Sequence, residues 1–515
     1  MAMDHISNEG PPKRRRLDEH DDTRDKESPR GLERPISPPP TKRVRGPGPT
    51  VIDSPFHLTS IQDLPPSSNA DTISLKDILG DPLISECWEF NYLHNIDFLM
   101  NAFDEDVKDI VKVNIIHGFW KHEDQSRLNL KEQASKYPNV NLLTAYMPEM
   151  FGTHHTKVII HTANMIPFDW TNMTQAVWKS PLLPLIDPSK PSIPQSTKIG
   201  SGPRFKTDLL NYLNAYDTRR VICKPLIESL SKYDFSEVRG ALIGSVPGKQ
   251  DIDPDGKTKW GWLGLSNALK SIPTSKSKAE IAIQISSIAS LGATDKWLKN
   301  TFFQALSKSK NPPVPTPNFK IIFPTADEIR RSLNGYQSGN AIHTKILTPT
   351  QGKQLAYLKP MLCHWAGDGG QHAAEAIETP TLDAGRKRAA PHIKTYVRFG
   401  DSSHTEIDWM LVTSANLSKQ AWGEATNAAG EVRVCSYEIG VLVWPELFGD
   451  GAKMVPTFKT DSPGPGDAGK GDTKVLVGAR MPYDLPIVPY ARNDLPWCAS
   501  AVYTEPDWMG QTWKE

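Results

Sequence analysis

The chain has 515 residues, and because it carries 59 Lys and Arg against 59 Asp and Glu its formal net charge is zero. This length predicts roughly two or three domains, and any nucleic-acid surface must come from local clustering of charge. The five cysteines are odd in number and form no CxxC pair, which argues against a disulfide framework and structural zinc. No apolar run reaches transmembrane length and no signal-peptide core is present, so we expect a soluble intracellular protein.

The first fifty residues differ from the rest in composition. They contain two basic clusters, 13–16 and 42–45, a Ser-Pro-rich stretch, and no aromatic residue. A segment with so little to bury is predicted to be disordered. The basic clusters predict a nuclear localisation signal, with a solvated charged tail as the alternative. We place this tail at 1–68 and expect two folded halves, 69–240 and 241–515.

The first half shows alternating helix and strand patterns. Residues 74–79, 88–100 and 205–216 are predicted as helices, and 111–116, 141–146 and 238–245 as strands. Such alternation is typical of an α/β layered domain.

In the second half the stretch 391–445 carries the strongest chemical signal. Two predicted strands, 391–399 and 407–413, are separated by the polar turn 400–405. The resulting hairpin would bring Asn416 back beside His392 and Lys394. This trio suits a phosphate, because Lys neutralises one oxyanion, Asn donates to another oxygen, and His can attack phosphorus or move a proton.

The same His-x-Lys pattern occurs at two further places. His343 and Lys345 are followed by Pro349 with no returning Asn-bearing strand, so we interpret this copy as a coincidence in a loop. His155 and Lys157, by contrast, are followed by Asn164. Two halves that each supply His, Lys and Asn predict a pseudo-twofold site at their interface.

These paired motifs resemble the tyrosyl-DNA phosphodiesterase branch of the phospholipase D superfamily. The resemblance covers the chain from about residue 69 to the end. It rests on long segments in a fixed order, which include FGTHHTK (151–157), HTANMI (161–166), DWTNMTQAVW (169–178), PHIKTY (391–396), TSANLSKQAWG (413–423) and SYEIGVL (436–442). It implies an α/β fold with two pseudo-symmetric α/β/α sandwich halves of phospholipase D type.

The resemblance also implies a mechanism. His155 would attack the phosphorus at a DNA 3′ end to form a covalent phosphohistidine, and His392 would protonate the departing tyrosine and then act as base. Neither a metal nor another cofactor is expected. The remaining catalytic residues that the resemblance implies are Lys157, Lys394, Asn164 and Asn416 around the phosphate, Gln175 near His392, and Glu438 near His155. For Gln175 the alternative is a surface glutamine at the start of a helix.

Five further residues are candidates for DNA contact. Phe151 precedes the first motif and is placed to stack on a nucleobase, with a core position as the alternative. Serines at strand ends can donate to DNA phosphates, although such serines also often cap helices. The resemblance favours DNA contact for Ser286, Ser287, Ser290 and Ser418.

The first copy departs from the family pattern in its spacing. His155 and Asn164 are nine positions apart, whereas His392 and Asn416 are 24 apart. In the family an extended hairpin follows the first Lys. If 158–163 is one extended strand, Asn164 lies about 20 Å from Lys157 and the two cannot share a phosphate. Either the strand with His155 is then displaced or Asn164 is. A skipped exon or gene-model error would explain the loss more simply than an evolved variant.

The predicted function is nuclear DNA repair by a monomer. It would act on single- and double-stranded DNA 3′ ends that carry topoisomerase I tyrosyl adducts or other blocking groups. No membrane partner is expected. One alternative is a DNA-end-binding protein with an impaired first motif. A lipid phospholipase D is disfavoured, because those enzymes pair HxK with Asp.

Overall fold

The computed structural model describes residues 49–119, 121, 123–144, 155–187, 189, 198–217, 222–252, 258–312, 315–366, 381–467 and 473–514. Residues 49–515 belong to one structural unit. In the described residues no helix has the length and apolar character to span a bilayer. Phe151, the side chain of His155 and the two basic clusters lie outside the description.

The first half is built from short elements. Its strands are β1 Thr50–Ile52, β2 Phe56–Leu58, β3 Glu86–Phe90, β4 Lys112–His117, β5 Val140–Thr144, β6 His155–Thr156, β7 Ile159–His161, β8 Ala176–Lys179 and β9 Leu183–Pro184. Its helices are α1 Leu75–Leu79, α2 Ile96–Met100, α3 Gln125–Ala134, α4 Pro167–Thr171, α5 Gly202–Tyr216 and α6 Lys224–Ser231. Local sequence sets several helix starts; Ser74 and Asp77, for example, form a capping box at α1.

The second half contains longer strands. They are β10 Ala241–Ser245, β11 Gly248–Asp251, β12 Glu280–Gln284, β13 Asn318–Ile322, β14 Leu362–Cys363, β15 Thr395–Phe399, β16 Ile407–Thr413, β17 Glu431–Val434, β18 Glu438–Val443, β19 Ala452–Thr457 and β20 Val475–Arg480. The helices are α7 Gly261–Leu269, α8 Phe303–Leu306, α9 Ala326–Arg330, α10 Pro349–Leu358 and α11 Lys419–Trp422.

A seven-stranded mixed sheet forms the centre of the second half, in the order β10-β18-β16-β15-β12-β13-β14. Strand β15 lies in the middle and pairs antiparallel with both β12 and β16. Beyond β12, strands β13 and β14 run parallel to it. The predicted hairpin of β15 and β16 is therefore present, with Thr395 opposite Val412.

In the described residues the first half repeats this arrangement except at one strand position. It has one sheet in the order β2-β8-β7, antiparallel throughout, and another in the order β3-β4-β5, parallel throughout. These six strands match β10, β18, β16, β12, β13 and β14 in chain order and in direction. Among the described residues no strand pairs with both β3 and β7, as β15 pairs with both β12 and β16.

In the described residues a gap separates β3 and β7, which do not pair with each other. Glu89 of β3 and His161 of β7 approach across it, with Oε2 and Nε2 4.0 Å apart. Strands separated by one missing neighbour lie about 9.5 Å apart, a distance that two long side chains can span. The hydrophobic core forms two clusters, and β4 contributes to both, since Val113 and Ile115 belong to one and Ile116 to the other.

Two predictions of local structure differ from the observed fold. Residues 88–100 were expected to form one helix, but they contain the end of β3 and, after a loop, α2. Strand β3 forms because it pairs in parallel with β4, a long-range contact that local pattern does not encode. The segment 49–68, assigned to the tail, contains β1 and β2. There Phe56 and Leu58 are buried as β2 pairs with β8.

Candidate active site

The two halves meet where the second HxK motif approaches β15. Thr174, just before β8, accepts hydrogen bonds from the backbone nitrogens of His392 (3.1 Å) and Ile393 (2.9 Å). Its own nitrogen donates to Ala390 O. The first half therefore fixes the backbone that carries His392, and Gln175 lies next to it.

The His392 imidazole is enclosed by polar groups from the first half. Its Nδ1 lies 3.0 Å from Gln175 Nε2, 3.3 Å from Gln175 Oε1, and 3.3 Å from Asp169 Oδ2. Gln175 is fully buried and its Oε1 accepts a 2.7 Å hydrogen bond from Thr162 Oγ1. The structure thus places Gln175 against His392.

The tautomer of His392 depends on the groups that face its two ring nitrogens. Its Nε2 lies 3.2 Å from Lys394 Nζ, and an ammonium group can only donate. Gln175 Nε2, a second donor, faces Nδ1 at 3.0 Å, so donors approach both ring nitrogens. In the tautomer with the proton on Nδ1, Asp169 Oδ2 at 3.3 Å accepts that proton and Nε2 keeps a lone pair. Burial, together with the charge of Lys394 and the nearby His343, lowers the pKa of His392 well below 6.5. At neutral pH the ring is an available base or nucleophile.

Lys394 is buried beside two carboxylates. Burial lowers the pKa of its ammonium group to about 8, against the opposing influence of Asp169 and Glu438. Glu438 Oε2 accepts a 2.6 Å hydrogen bond from Ser414 Oγ, and burial raises the pKa of this carboxyl group. The structure thus brings Glu438 to Lys394 of the second motif.

Asn416 is oriented by the end of β12. Its Oδ1 accepts hydrogen bonds from Ser287 N (2.8 Å), Ser286 N (3.0 Å) and Ser286 Oγ (3.2 Å). Since the amide oxygen is occupied in this way, the Asn416 NH₂ group is the part that can donate to a ligand. Ser286 and Ser287 thus hold the Asn416 side chain in place.

Asn164 lies on the first-half side of the same site. Both its backbone nitrogen (2.6 Å) and its Nδ2 (3.0 Å) donate to Asp169 Oδ2, the oxygen that also faces His392. Burial raises the pKa of the Asp169 carboxyl, while the Asn164 hydrogen bonds and the charge of Lys394 oppose that rise. Asp169 therefore links the Asn of the first copy to the His of the second.

The backbone of His155 lies away from this cluster. Strand β6 places His155 opposite Pro184, and β7 places His161 opposite Val177, so the intervening chain is extended. Six residues of extended chain cover about 20 Å. Lys157 lies on this run, and its side chain is exposed. The structure thus brings together His392, Lys394, Asn416 and Asn164 but leaves the first His-x-Lys strand at the far end of β7.

The other two serines predicted to contact DNA, Ser290 and Ser418, lie in different environments. Ser290 is exposed beyond the strand end. Ser418 caps α11, because its Oγ accepts from Ala421 N at 3.0 Å. Sequence reasoning missed the roles of Asp169 and Thr162. It also interpreted His343 as a loop coincidence, whereas the structure places His343 near His392 and Lys394.

A cavity of about 2610 Å³ connects these groups with the gap in the first half. Its lining includes His343, His392, Lys394 and Asn416 together with β3 and the segment from Thr156 to Ile166. Among the described residues, strands β3 and β7 and the candidate site therefore line one continuous cavity.

Three partly or fully buried histidines, His94, His117 and His392, predict how stability depends on pH. Burial lowers the pKa of His392 well below 6.5, that of His117 to about 4, and that of His94 to about 3. Below pH 6.5 the unfolded chain binds protons that the folded chain does not, so the free energy of unfolding should fall as the pH drops from 6.5 toward 4. Denaturant titrations across this range test the expectation. The His94→Leu variant should show a shallower fall, and an unchanged slope would contradict it.

The fold and the site together define a class of protein. Two pseudo-symmetric mixed α/β halves meet at buried His, Lys and Asn side chains, the arrangement of a phosphodiesterase with the phospholipase D-type fold. The family profile described as tyrosyl-DNA phosphodiesterase matches residues 55–491. The chain belongs to the tyrosyl-DNA phosphodiesterase family.

Individual relatives agree with this assignment. The chain is 33% identical to a probable tyrosyl-DNA phosphodiesterase of Schizosaccharomyces pombe, over 90% of this chain and 96% of that protein. It is 30% identical to tyrosyl-DNA phosphodiesterase 1 of Arabidopsis thaliana, over 90% of this chain and 77% of that protein. The crystal structure of the yeast enzyme superimposes with a TM-score of 0.59 at 22% identity, covering 87% of this chain and 99% of that one.

Proposed function

We propose that the chain is a DNA-repair phosphodiesterase that hydrolyses the bond between a DNA 3′ phosphate and a tyrosine side chain. Its substrates would be topoisomerase I adducts and other 3′ blocking groups on single- or double-stranded ends. The observation that carries the proposal is the convergence of His392, Lys394 and Asn416 in a cavity. The names of the relatives supply the tyrosyl-DNA substrate.

Each group in the site has a chemical task in this reaction. Lys394 and the Asn416 amide would bind the equatorial phosphate oxygens and stabilise the charge that develops there. The Nε2 lone pair of His392 would take a proton from an attacking water, and the resulting imidazolium would be stabilised by Asp169 and Gln175 at Nδ1. A tyrosine phenolate is a good leaving group, so it requires less assistance than an alkoxide.

The family resemblance assigns the nucleophilic role to His155, which would form the covalent phosphohistidine. With its backbone in β6, the first His-x-Lys strand lies outside the cluster around His392. We propose that this chain uses water as the nucleophile and turns over slowly. We further propose that His155 serves only when a strand fills the gap between β3 and β7.

The decisive assay uses a single-stranded oligonucleotide that ends in a 3′-phosphotyrosine, with EDTA present. We expect conversion to the 3′-phosphate and free tyrosine. The Lys394→Ala variant should be slower by about 10²- to 10³-fold, the usual cost of losing one group that stabilises transition-state charge. Lys353→Ala, on the exposed face of α10, is the matched control. Retained oligonucleotide binding without any conversion would instead identify a DNA-end-binding protein.

We also propose that the protein acts in the nucleus as a monomer. The support is the pair of basic clusters at 13–16 and 42–45 and the DNA substrate. A fluorescent fusion that lacks residues 1–48 should lose nuclear accumulation, while a fusion of the whole chain should retain it.

A further inference from the structure

His343 lies at the cavity wall, on the loop between Ala341 and Pro349. Its side chain is exposed to solvent, and the cavity that it lines also contains His392, Lys394 and Asn416. Neither the HxK pairing nor the mechanism above uses it. Its position therefore requires a separate explanation.

The backbone of His343 is held beside the end of β12. His343 N donates to Ser286 O at 2.8 Å, and Ile288 N donates to His343 O at 2.9 Å. Together these bonds form a parallel bridge between Ser287 and His343. The backbone position of His343 is thus set by two hydrogen bonds rather than by a free loop.

The segment Ser286 to Ile288, which holds His343 on one side, holds the loop that carries Asn416 on its other side. Ile288 forms a parallel bridge with Leu417, and Asn416 Oδ1 accepts from Ser286 and Ser287. Adjacent strands lie about 4.8 Å apart, so His343 and Leu417 flank the serine segment with about 9.5 Å between their backbones. A ligand over the serines is thus reached by Asn416 from one side and by His343 from the other.

The charge of the site is compatible with a neutral donor here. The pKa of His343 is lowered mainly by partial burial and to a smaller extent by the charges of Lys394 and Lys345. At neutral pH the ring has one N–H to donate and adds no positive charge beside Lys394. It therefore suits an oxyanion that Lys394 already attracts.

We propose that His343 is a third imidazole of the active site and donates a hydrogen bond to an oxygen of the 3′-terminal phosphate. The proposal rests on the proposed function, because it takes a DNA 3′ end as the ligand. It makes His343 a substrate-binding residue that distinguishes a phosphorylated 3′ end from a 3′ hydroxyl.

The test compares the binding of two fluorescent oligonucleotides of one sequence, one ending in a 3′-phosphate and the other in a 3′-hydroxyl. Fluorescence anisotropy measures binding without turnover. The wild-type chain should prefer the 3′-phosphate. His343→Ala should weaken 3′-phosphate binding by about 10- to 100-fold, the range for a hydrogen bond to a charged group, and leave 3′-hydroxyl binding unchanged.

Two further variants separate the hydrogen bond from packing. His343→Phe keeps a ring but has no donor and should behave like His343→Ala, whereas His343→Gln keeps a donor and should recover part of the affinity. Leu347→Ala, an exposed position on the same loop, is the control. A wild-type preference that survives in the Ala and Phe variants would overturn this inference alone. A wild-type chain with no preference for the 3′-phosphate would overturn the proposed function as well.

Discussion

Insertion of a fifteen-residue hairpin between Lys157 and Val158 should raise the turnover of a 3′-phosphotyrosyl oligonucleotide by about 10⁴-fold or more. The length of the insert comes from comparing the two copies of the motif. His392 and Asn416 are 24 positions apart, whereas His155 and Asn164 are nine positions apart, a difference of 15. Loss of a nucleophile alone costs a serine protease about 10⁶-fold in kcat, so recovery of one should have a correspondingly large effect.

The physical reason is the strand position between β3 and β7. A strand that starts at His155 and pairs with both would occupy the place that β15 has in the second half. Its His and Lys would then approach Asn164 as His392 and Lys394 approach Asn416. The new strand would also cover apolar walls of the cavity, so the melting temperature should rise as well.

The insert should alternate apolar and polar residues about an Asn-Gly turn, because this pattern favours a two-stranded hairpin. A second insert with the same composition in scrambled order is the control and should give no gain. In the hairpin variant His155→Ala should abolish the gain, whereas in the parent chain it should change turnover little. A gain that survives His155→Ala would show that the added strand acts in some other way.

The second half-site could be predicted from sequence because it is local. His392, Lys394 and Asn416 lie on one hairpin, and alternation plus a polar turn is sufficient to bring them together. The spacing of the first copy also carried information, since the short span from His155 to Asn164 indicated that Lys157 and Asn164 could not share one phosphate. Both inferences need only the geometry of an extended chain.

Other parts of the site could not be predicted because they depend on long-range pairing. His343 reaches the cavity through a bridge to Ser287, more than fifty residues earlier in the chain. Asp169 faces His392 only because Thr174 fixes the backbone of the second motif across the interface of the halves. Strand β3 was interpreted as helix for a similar reason, because its partner β4 lies more than twenty residues away.

Asp169→Asn should reduce turnover by about 10⁴-fold, the largest loss that we expect from a single substitution outside the HxK motifs. The carboxylate faces His392 Nδ1 at 3.3 Å and helps to keep the ring proton there. An amide has no charge, and its oxygen, held by the two Asn164 donors, accepts the ring proton more weakly. The change favours the tautomer with the proton on Nε2 and removes the lone pair that reacts. An Asp-to-Asn change behind a catalytic histidine costs about 10⁴-fold in serine proteases for this reason.

The hairpin variant is the better background for this measurement, because its faster turnover leaves room to observe a large loss. Since Asp169 acts through His392, the double variant Asp169→Asn, His392→Ala should be no slower than His392→Ala alone. Asp63→Asn is the matched control; this carboxylate accepts a hydrogen bond from the Asn172 amide and does not line the cavity. Additive losses in the double variant would mean that Asp169 acts on the phosphate or on the fold independently of His392.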